Sequence, residues 1–151
     1  MGRILNLKTP YQGLSRIVNV LAPVGFNEQN DADDVRVVQN LLHAITLPKR
    51  FAQSIGIPKI TGRFDAVTGF WIYTYQVLTQ GGNGEVDGTV SPAQGGAYHG
   101  GIPWFIVRLN AHAHAAQPAV WERFATALDD DDKDIGTAVA GIFARRQFGF
   151  P

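Results

Sequence analysis

Residues 61–68 read Thr-Gly-Arg-Phe-Asp-Ala-Val-Thr, and residues 87–93 read Asp-Gly-Thr-Val-Ser-Pro-Ala. In both segments a glycine, which can adopt positive φ, comes two positions before an apolar residue, Phe64 or Val90. A pair that commonly starts a helix follows, Asp-Ala in the first segment and Ser-Pro in the second. This repeated pattern predicts two tight turns that each bury one apolar side chain and each begin a helix.

A helix is predicted before the first turn. Apolar residues recur with helical spacing from Val35 to Ile45, and Pro48 ends the pattern. The acidic residues among 31–34 favour its N-terminus, because carboxylates cap free N–H groups and complement the helix dipole. We expect His43, which falls outside the apolar stripe, to lie in solvent.

A second helix is predicted from Asp65, because aromatic and aliphatic residues share one of its faces. We expect this face to pack in the core rather than to serve as a sugar-stacking platform. Tyr73 points away from it and is the better candidate for an exposed contact. The residues of the shared face are Val67, Phe70, Trp71, Thr74, Tyr75 and Leu78.

Proline and glycine divide the rest of the chain. Residues 46–60 are predicted as a loop whose middle can form a turn of helix. Residues 81–101 hold eight of the 17 glycines and are predicted as an irregular surface loop. Further helices are predicted after Pro103, where Phe-Ile-Val at 105–107 is also typical of a strand, after Pro118 and over residues 135–146.

Composition excludes several classes of protein. The chain has 151 residues, of which 45% are hydrophobic and 17% charged, which is typical of one globular unit with a real core. It contains no cysteine, so disulfides, thiolate zinc sites and cysteine nucleophiles are excluded. Lys and Arg number 13, as do Asp and Glu, and this zero net charge argues against a nucleic-acid partner.

No membrane-spanning or secretory segment is recognisable. The longest strongly apolar run, residues 104–107, is far shorter than the roughly 20 residues that cross a bilayer. The first ten residues lack the apolar core of a signal peptide. We therefore expect no membrane insertion, and either residence inside the cell or export by a route that needs no such signal.

Candidate chemistry is sparse. His112 and His114 are two residues apart, so they share a side only of a strand, and no third metal ligand stands at a recognisable spacing. Known nucleophile, zinc-protease and phosphate-loop motifs are missing. The acidic run 129–134 lacks the ligand alternation of an EF-hand and is read as a solvated connection rather than a calcium site. We expect neither an enzyme nor a bound cofactor or metal.

Three segments, taken in order, resemble the peptidoglycan-binding domain-like family, a small three-helix module attached to cell-wall hydrolases and other envelope proteins. Residues 34–42 match its first-helix pattern, Asp-Val-x-x-Val-Gln-x-x-Leu. Residues 62–68 and the Tyr-Gln pair at 75–76 are similar to its first turn and the helix that follows. Residues 86–92 are similar to its second turn, Val-Asp-Gly-x-Val-Gly-Pro, whereas Thr61 stands where the first turn has aspartate.

The resemblance and the helical patterns together predict a mainly α protein. Residues 1–29 would form an extended N-terminal arm, in which residues 17–21 are β-branched enough for a short strand. Residues 30–117 would form a small three-helix peptidoglycan-binding-like bundle. Residues 118–151 would add a C-terminal helical pair, for which the resemblance gives no counterpart.

The chemistry of peptidoglycan suggests which residues would bind it. Its hydroxyls, amides and carboxylates require hydrogen-bond donors and acceptors on a rigid groove, and a cation for the peptide carboxylate. The two predicted turns offer such groups beside an exposed aromatic ring. The candidate ligand-binding residues are Arg63, Tyr73, Gln76, Asp87, Gly88 and Thr89.

The leading hypothesis is a non-catalytic peptidoglycan-binding module that positions a larger envelope-acting assembly or enzyme. The alternative is a structural or adaptor protein of a phage tail or contractile injection particle, which would use the same fold to bind protein. The altered turn residues and the extensions at both ends favour this alternative. A cell-wall hydrolase with an unfamiliar site is a third, minor interpretation.

Overall fold

The computed structural model describes residues 3–45, 49–80, 86–94, 96, 98, 99 and 102–129. Half of these residues are helical and 18% lie in strands, so the prediction of a mainly α three-helix bundle was wrong and the fold is mixed α and β. The elements in chain order are β1 (Ile4–Tyr11), β2 (Leu14–Val18), β3 (Val24–Gly25), α1 (Ala32–Ala44), α2 (Lys49–Ile55), α3 (Ala66–Gln80), β4 (Thr89–Val90), β5 (Tyr98–His99), β6 (Ile102–Pro103), α4 (Phe105–Ala116) and α5 (Pro118–Leu128).

The N-terminal segment is the main source of the difference. We predicted an extended arm, but β1 and β2 form an antiparallel hairpin that pairs Ile4 with Val18 and turns at Gln12 and Gly13, both with positive φ. Leu14 and Ile17 are buried, and β2 lies against α4 and α5. The segment is therefore part of the core. Two further antiparallel pairs, β3 with β4 and β5 with β6, are only two residues long on each strand.

Asp34 joins the N-terminal segment to α1. Its buried carboxylate pairs with the Arg3 guanidinium and accepts the backbone N–H groups of Leu21 and Ala22 at 2.8 and 3.1 Å. We expected the acidic residues here to cap the helix, but Asp31 at the N-cap position makes no side-chain capping hydrogen bond. The acid in the first turn of α1 thus holds a distant part of the chain in place, which a local pattern could not reveal.

The core is shared by the β1–β2 hairpin and by α1, α3, α4 and α5. Helix α4 lies in contact with both α1 and α5. Trp121 and Phe124 of α5 are fully buried, so this helix is an integral part of the fold. The predicted last helix, over residues 135–146, lies outside the described residues, as does most of the acidic run. The largest fully buried apolar side chains are Trp71, Trp121, Phe124, Ile17, Leu41, Leu42, Ile72, Ile106 and Leu109.

A buried amide, Asn110 of α4, connects three elements. Its Oδ1 accepts the backbone N–H of Val18 and the indole N–H of Trp121, both at 3.0 Å. Its Nδ2 donates to the carbonyl oxygen of Val18 at 2.9 Å. The side chain therefore replaces a missing strand partner for β2, and it satisfies an indole that would otherwise be costly to bury.

Several local predictions need correction. His43 is buried, not solvated, and its ring bonds to the carbonyl oxygen of Pro58. Phe70 and Leu78 were placed in the core, but they are 50% and 45% exposed, because α1 packs on the side of α3 that carries Trp71. The second turn does not begin a helix, since residues 91–94 have no regular structure. Residues 46–60 were predicted as a loop whose middle can form a turn of helix, and α2 occupies Lys49–Ile55 within it.

Candidate functional site

The first predicted turn is held by Gln39, a fully buried residue of α1. Its Oε1 accepts the backbone N–H groups of Thr61 and Gly62 at 2.9 and 3.0 Å. Its Nε2 donates to the carbonyl oxygen of Arg63 at 3.1 Å and to Thr68 Oγ1 at 3.2 Å. One amide thus fixes the turn and connects it to the first helical turn of α3.

The second turn is held in the same way by Gln76 of α3. Its Oε1 accepts the backbone N–H of Gly88 at 2.8 Å, and its Nε2 donates to the carbonyl oxygen of Thr89 at 3.1 Å. The same Nε2 lies 3.2 Å from Asp87 Oδ1. Gly62 and Gly88 have φ values of +75° and +73°, so both predicted glycine turns are confirmed.

Thr61 and Asp87 have equivalent roles in the two turns. Thr61 Oγ1 accepts the N–H two residues later, that of Arg63, at 3.1 Å. Asp87 Oδ1 accepts the N–H of Thr89 at 3.0 Å. The threonine that departs from the family pattern therefore supplies the same hydrogen bond as an aspartate, and the departure does not alter the turn.

Phe26, which follows β3, lies between the two turns. Its ring meets Phe64 of the first turn edge-on, with centroids 5.2 Å apart, and meets Phe70 of α3 at 6.1 Å. A β-carbon built on Gly88 of the second turn would lie 3.7 Å from the same ring. Phe26 and Phe70 are 45% and 50% exposed, and Tyr73, one helical turn after Phe70, is 47% exposed. We call the surface formed by Phe26, Phe64, Phe70 and Tyr73 the aromatic face.

Two glycines permit this arrangement. A β-carbon on Gly69 of α3 would lie 2.4 Å from the Phe26 ring and 2.8 Å from the Phe64 ring. A β-carbon on Gly25 would lie 2.7 Å from the carbonyl oxygen of Gly88. Any side chain at these positions would push Phe26 or the second turn away, because such distances are well inside van der Waals contact.

The structure distributes the predicted site residues around the aromatic face. Arg63 is exposed in the first turn, and Tyr73 is exposed on α3 as expected. Asp87 is exposed and Thr89 half-buried in the second turn, beside Phe26. Thr89 Oγ1 also lies 3.4 Å from Glu28 Oε1.

The other two predicted residues are structural. Gln76 is 1% exposed, and its amide is used within the second turn. Gly88 is buried and contributes its N–H to the same hydrogen bonds. They shape the surface without presenting a side chain to a ligand.

Sequence reasoning missed the contribution of Phe26 and Phe70 to an exposed surface. Phe26 lies in a loop and Phe70 was assigned to the core face of its helix. The available signal was Gly69, because a glycine inside a helix costs about 1 kcal/mol relative to alanine and commonly marks a close approach.

A second polar cluster lies in a cleft of about 440 Å³. Its walls are formed by the β1–β2 turn, the end of α1, α3 and α4, with Gln12, Ile45, Tyr75, His112, Ala115 and Ala116 as lining residues. The Tyr75 hydroxyl bonds to His112 Nδ1, and Tyr75 also packs on Phe105. Burial raises the pKa of the Tyr75 hydroxyl, whereas burial and, second, the Arg108 charge lower the pKa of His112 below 6.5.

Neither a metal site nor a membrane-spanning helix is found in the described part of the chain. No three His, Asp or Glu side chains come together there as ligands. None of the described helices has the length and apolar character needed to cross a bilayer.

Comparison with known proteins finds no family model, curated protein or solved structure that matches this chain.

Proposed function

We propose that this chain is a non-catalytic module that binds cell-wall peptidoglycan on the aromatic face and thereby positions a larger envelope-acting assembly or enzyme. The observation that supports the proposal is the position of Phe26, whose ring meets Phe64 of the first turn and lies on the side of Gly88 where a β-carbon would come within 3.7 Å of it. It brings exposed rings and the polar groups of both turns onto one surface.

The chemistry of the surface suits a glycan that carries peptides. A pyranose ring has an apolar face of C–H groups that can lie on Phe70 or Tyr73, and its hydroxyls can bond to Asp87 and Thr89. Arg63 can pair with a peptide carboxylate, since guanidinium and carboxylate form two parallel hydrogen bonds. Such a shallow surface gives an affinity on the order of mM to μM, because much of the gain is lost to desolvation.

Rigidity is the second support for the proposal. The backbone of both turns is fixed by the buried amides of Gln39 and Gln76. Binding therefore does not have to order that backbone, which removes one part of the conformational entropy cost. A saved entropy cost is a larger fraction of the binding free energy for a weak ligand than for a tight one.

The test is co-sedimentation of the purified full chain with isolated sacculi. We expect Phe70→Ala and Arg63→Ala each to reduce the bound fraction in a way that corresponds to about tenfold weaker binding. The matched control is Ile102→Ala, another exposed apolar side chain, in the paired strands β5 and β6 that lie beside β1. Absence of the wild-type chain from the pellet, or equal losses in the control, would contradict the proposal.

A protein-binding adaptor of a phage tail or contractile injection particle is the second candidate. Two observations favour it. Phe26 meets Phe64 at 88° and Phe70 at 63°, so the three rings do not form a flat platform. Val77, one turn beyond Tyr73, is 49% exposed and extends the face with an aliphatic side chain that suits protein better than sugar.

The two candidates give different results in one pair of assays. An adaptor would form a discrete complex with a protein partner in size-exclusion chromatography with light scattering, and it would not sediment with sacculi. Phe70→Ala should weaken that complex, because the proposed contact surface is the same. A peptidoglycan module would sediment with sacculi without any protein partner.

A further inference from the structure

The outer side of α3 carries large apolar residues, as does the side that faces the core. None of the 15 residues of this helix is charged. Trp71 is fully buried on the core side, whereas Phe70, Tyr73 and Val77 are exposed on the outer side. A helix that is apolar all round is typically covered all round. The outer side of α3 therefore has the composition of an interface.

The exposed residues of α3 have the spacing of a helix–helix contact. Ala66, Phe70, Tyr73 and Val77 are all exposed, and they follow one another at intervals of four, three and four residues. This alternation places side chains on one narrow stripe along which two helices can pack. We call these four residues the α3 seam. It shares Phe70 and Tyr73 with the aromatic face.

The charges beside the α3 seam differ between its two ends. Arg63 is exposed in the first turn, just before the start of α3. Asp87 Oδ1 lies 3.2 Å from Gln76 Nε2, in the second half of α3, and Glu28 lies beside the same turn as Asp87. Asp65, at the start of α3, accepts a backbone N–H of the first helical turn, whose dipole offsets its charge. One end of the seam is therefore flanked by a base and the other by acids.

We propose that the α3 seam binds a second copy of this chain, with the two α3 helices antiparallel about a two-fold axis. Phe70 of each copy then packs on Tyr73 of the other, and Arg63 of each copy approaches the acids beside the second half of the other α3. A parallel pairing would instead bring the two Arg63 side chains together. The net charge of zero means that long-range repulsion does not oppose association of two copies.

The dimer does not depend on the proposed function, because all its contacts belong to the chain itself. It would cover Phe70 and Tyr73, so a second copy and a glycan on the aromatic face would exclude each other. A contact made mainly by one helix of each copy falls near or below the low end of stable interfaces, roughly 1,200 Å². We therefore expect a dissociation constant on the order of 10–100 μM.

The test is sedimentation velocity of the full chain without any ligand, from about 1 μM to about 1 mM. We expect the average mass to rise from one chain towards two. Phe70→Ala and Val77→Glu should each weaken association at least about tenfold. Ile102→Ala, an exposed apolar position outside the α3 seam, should associate like the wild type.

Two results would overturn the proposal. One is a wild-type chain that stays monomeric over this range, which would leave the seam to a ligand or to a different protein. The other is weakening by Ile102→Ala equal to that by Val77→Glu. If Phe70→Ala disturbs the packing of Phe26, with which it is in ring contact, Val77→Glu decides the question.

A charge exchange tests the antiparallel arrangement. Arg63→Glu and Glu28→Arg should each weaken self-association about tenfold at low ionic strength, because like charges then face each other at both symmetric contacts. A mixture of the two variants should form a mixed dimer about as tight as the wild-type dimer, since opposite charges meet again at both contacts. A mixture that associates no more tightly than either variant alone would contradict the antiparallel dimer.

Discussion

The two glutamine-held turns contain the same hydrogen bonds in different surroundings. In each, a buried glutamine accepts the N–H of a glycine with positive φ and donates to the carbonyl one residue later. The first turn lies between two helices and leaves Phe64 half-buried beside exposed rings. The second lies against β3, where Val90 is fully buried and pairs with Val24.

This difference shows that the backbone conformation of a turn and the burial of its apolar side chain have different causes. The glutamine amide determines the backbone in both turns, whereas the neighbouring elements determine whether the following apolar side chain is buried. The first turn therefore leaves an aromatic ring partly at the surface, whereas the second buries its apolar side chain and leaves only polar groups, such as that of Asp87, exposed. Four changes would test how far this comparison holds.

The largest effect should come from replacing the glutamines by methionine, which keeps the volume and removes the polar groups. Gln39→Met should cost about 3 kcal/mol and Gln76→Met about 2 kcal/mol, because Gln39 satisfies more backbone groups. Urea denaturation measures both. Gln53→Met, at an exposed position of α2, is the matched control and should change stability by less than about 0.5 kcal/mol. An equal or larger loss for Gln76→Met would break the ranking of the two turns.

The next effect should be confined to the first turn. Gly69→Ala places a methyl group against the Phe26 and Phe64 rings and should cost about 1–2 kcal/mol, even though alanine favours a helix. In a Phe26→Ala background the cost should fall, since one of the two rings is gone. Thermal unfolding of the two single variants and the double variant gives the coupling. Strictly additive losses would show that the cost of Gly69→Ala does not come from its contact with the Phe26 ring.

Acid sensitivity near neutrality should separate the glutamine-held turns from the cleft. Burial lowers the pKa of His112, so between the folded-state value and about 6.5 the unfolded chain binds the proton more readily. The free energy of unfolding should therefore fall as pH drops from about 7.5 to about 5.5. Gln39→Met and Gln76→Met should retain this slope, and His112→Asn should show a smaller one. Identical slopes in His112→Asn and the wild type would show that His112 does not cause this pH dependence.

The smallest effect should come from Thr61→Asp, which gives the first turn the acid found in the second. Because Thr61 Oγ1 and Asp87 Oδ1 accept equivalent N–H groups, stability should change by less than about 0.5 kcal/mol. Thr61→Ala, which has no acceptor, should cost about 1 kcal/mol. Urea denaturation distinguishes the two outcomes. A loss for Thr61→Asp as large as for Thr61→Ala would show that the two turns are not interchangeable.

Local sequence pattern predicted the features that depend on neighbours along the chain. The turns at Gly62 and Gly88 and the main course of α1, α3 and α5 follow from spacing, proline and glycine. For the candidate site, the exposure of Tyr73 followed from helical period. The burial of Gln76 could not be predicted from helical period, because its hydrogen-bond partners lie eleven or more residues away in the chain.

The sequence alone determined the turns at Gly62 and Gly88 and which stretches can be helical, because positive φ, proline geometry and side-chain period act over a few residues. Only the tertiary structure decided that β1 and β2 enter the core, that Asp34 and Asn110 anchor β2 and the segment that follows it, and that Phe26 lies between the turns. These contacts join residues far apart in the chain. Their partners are selected by the complete packing and by the need to satisfy every buried polar group, which no local pattern records.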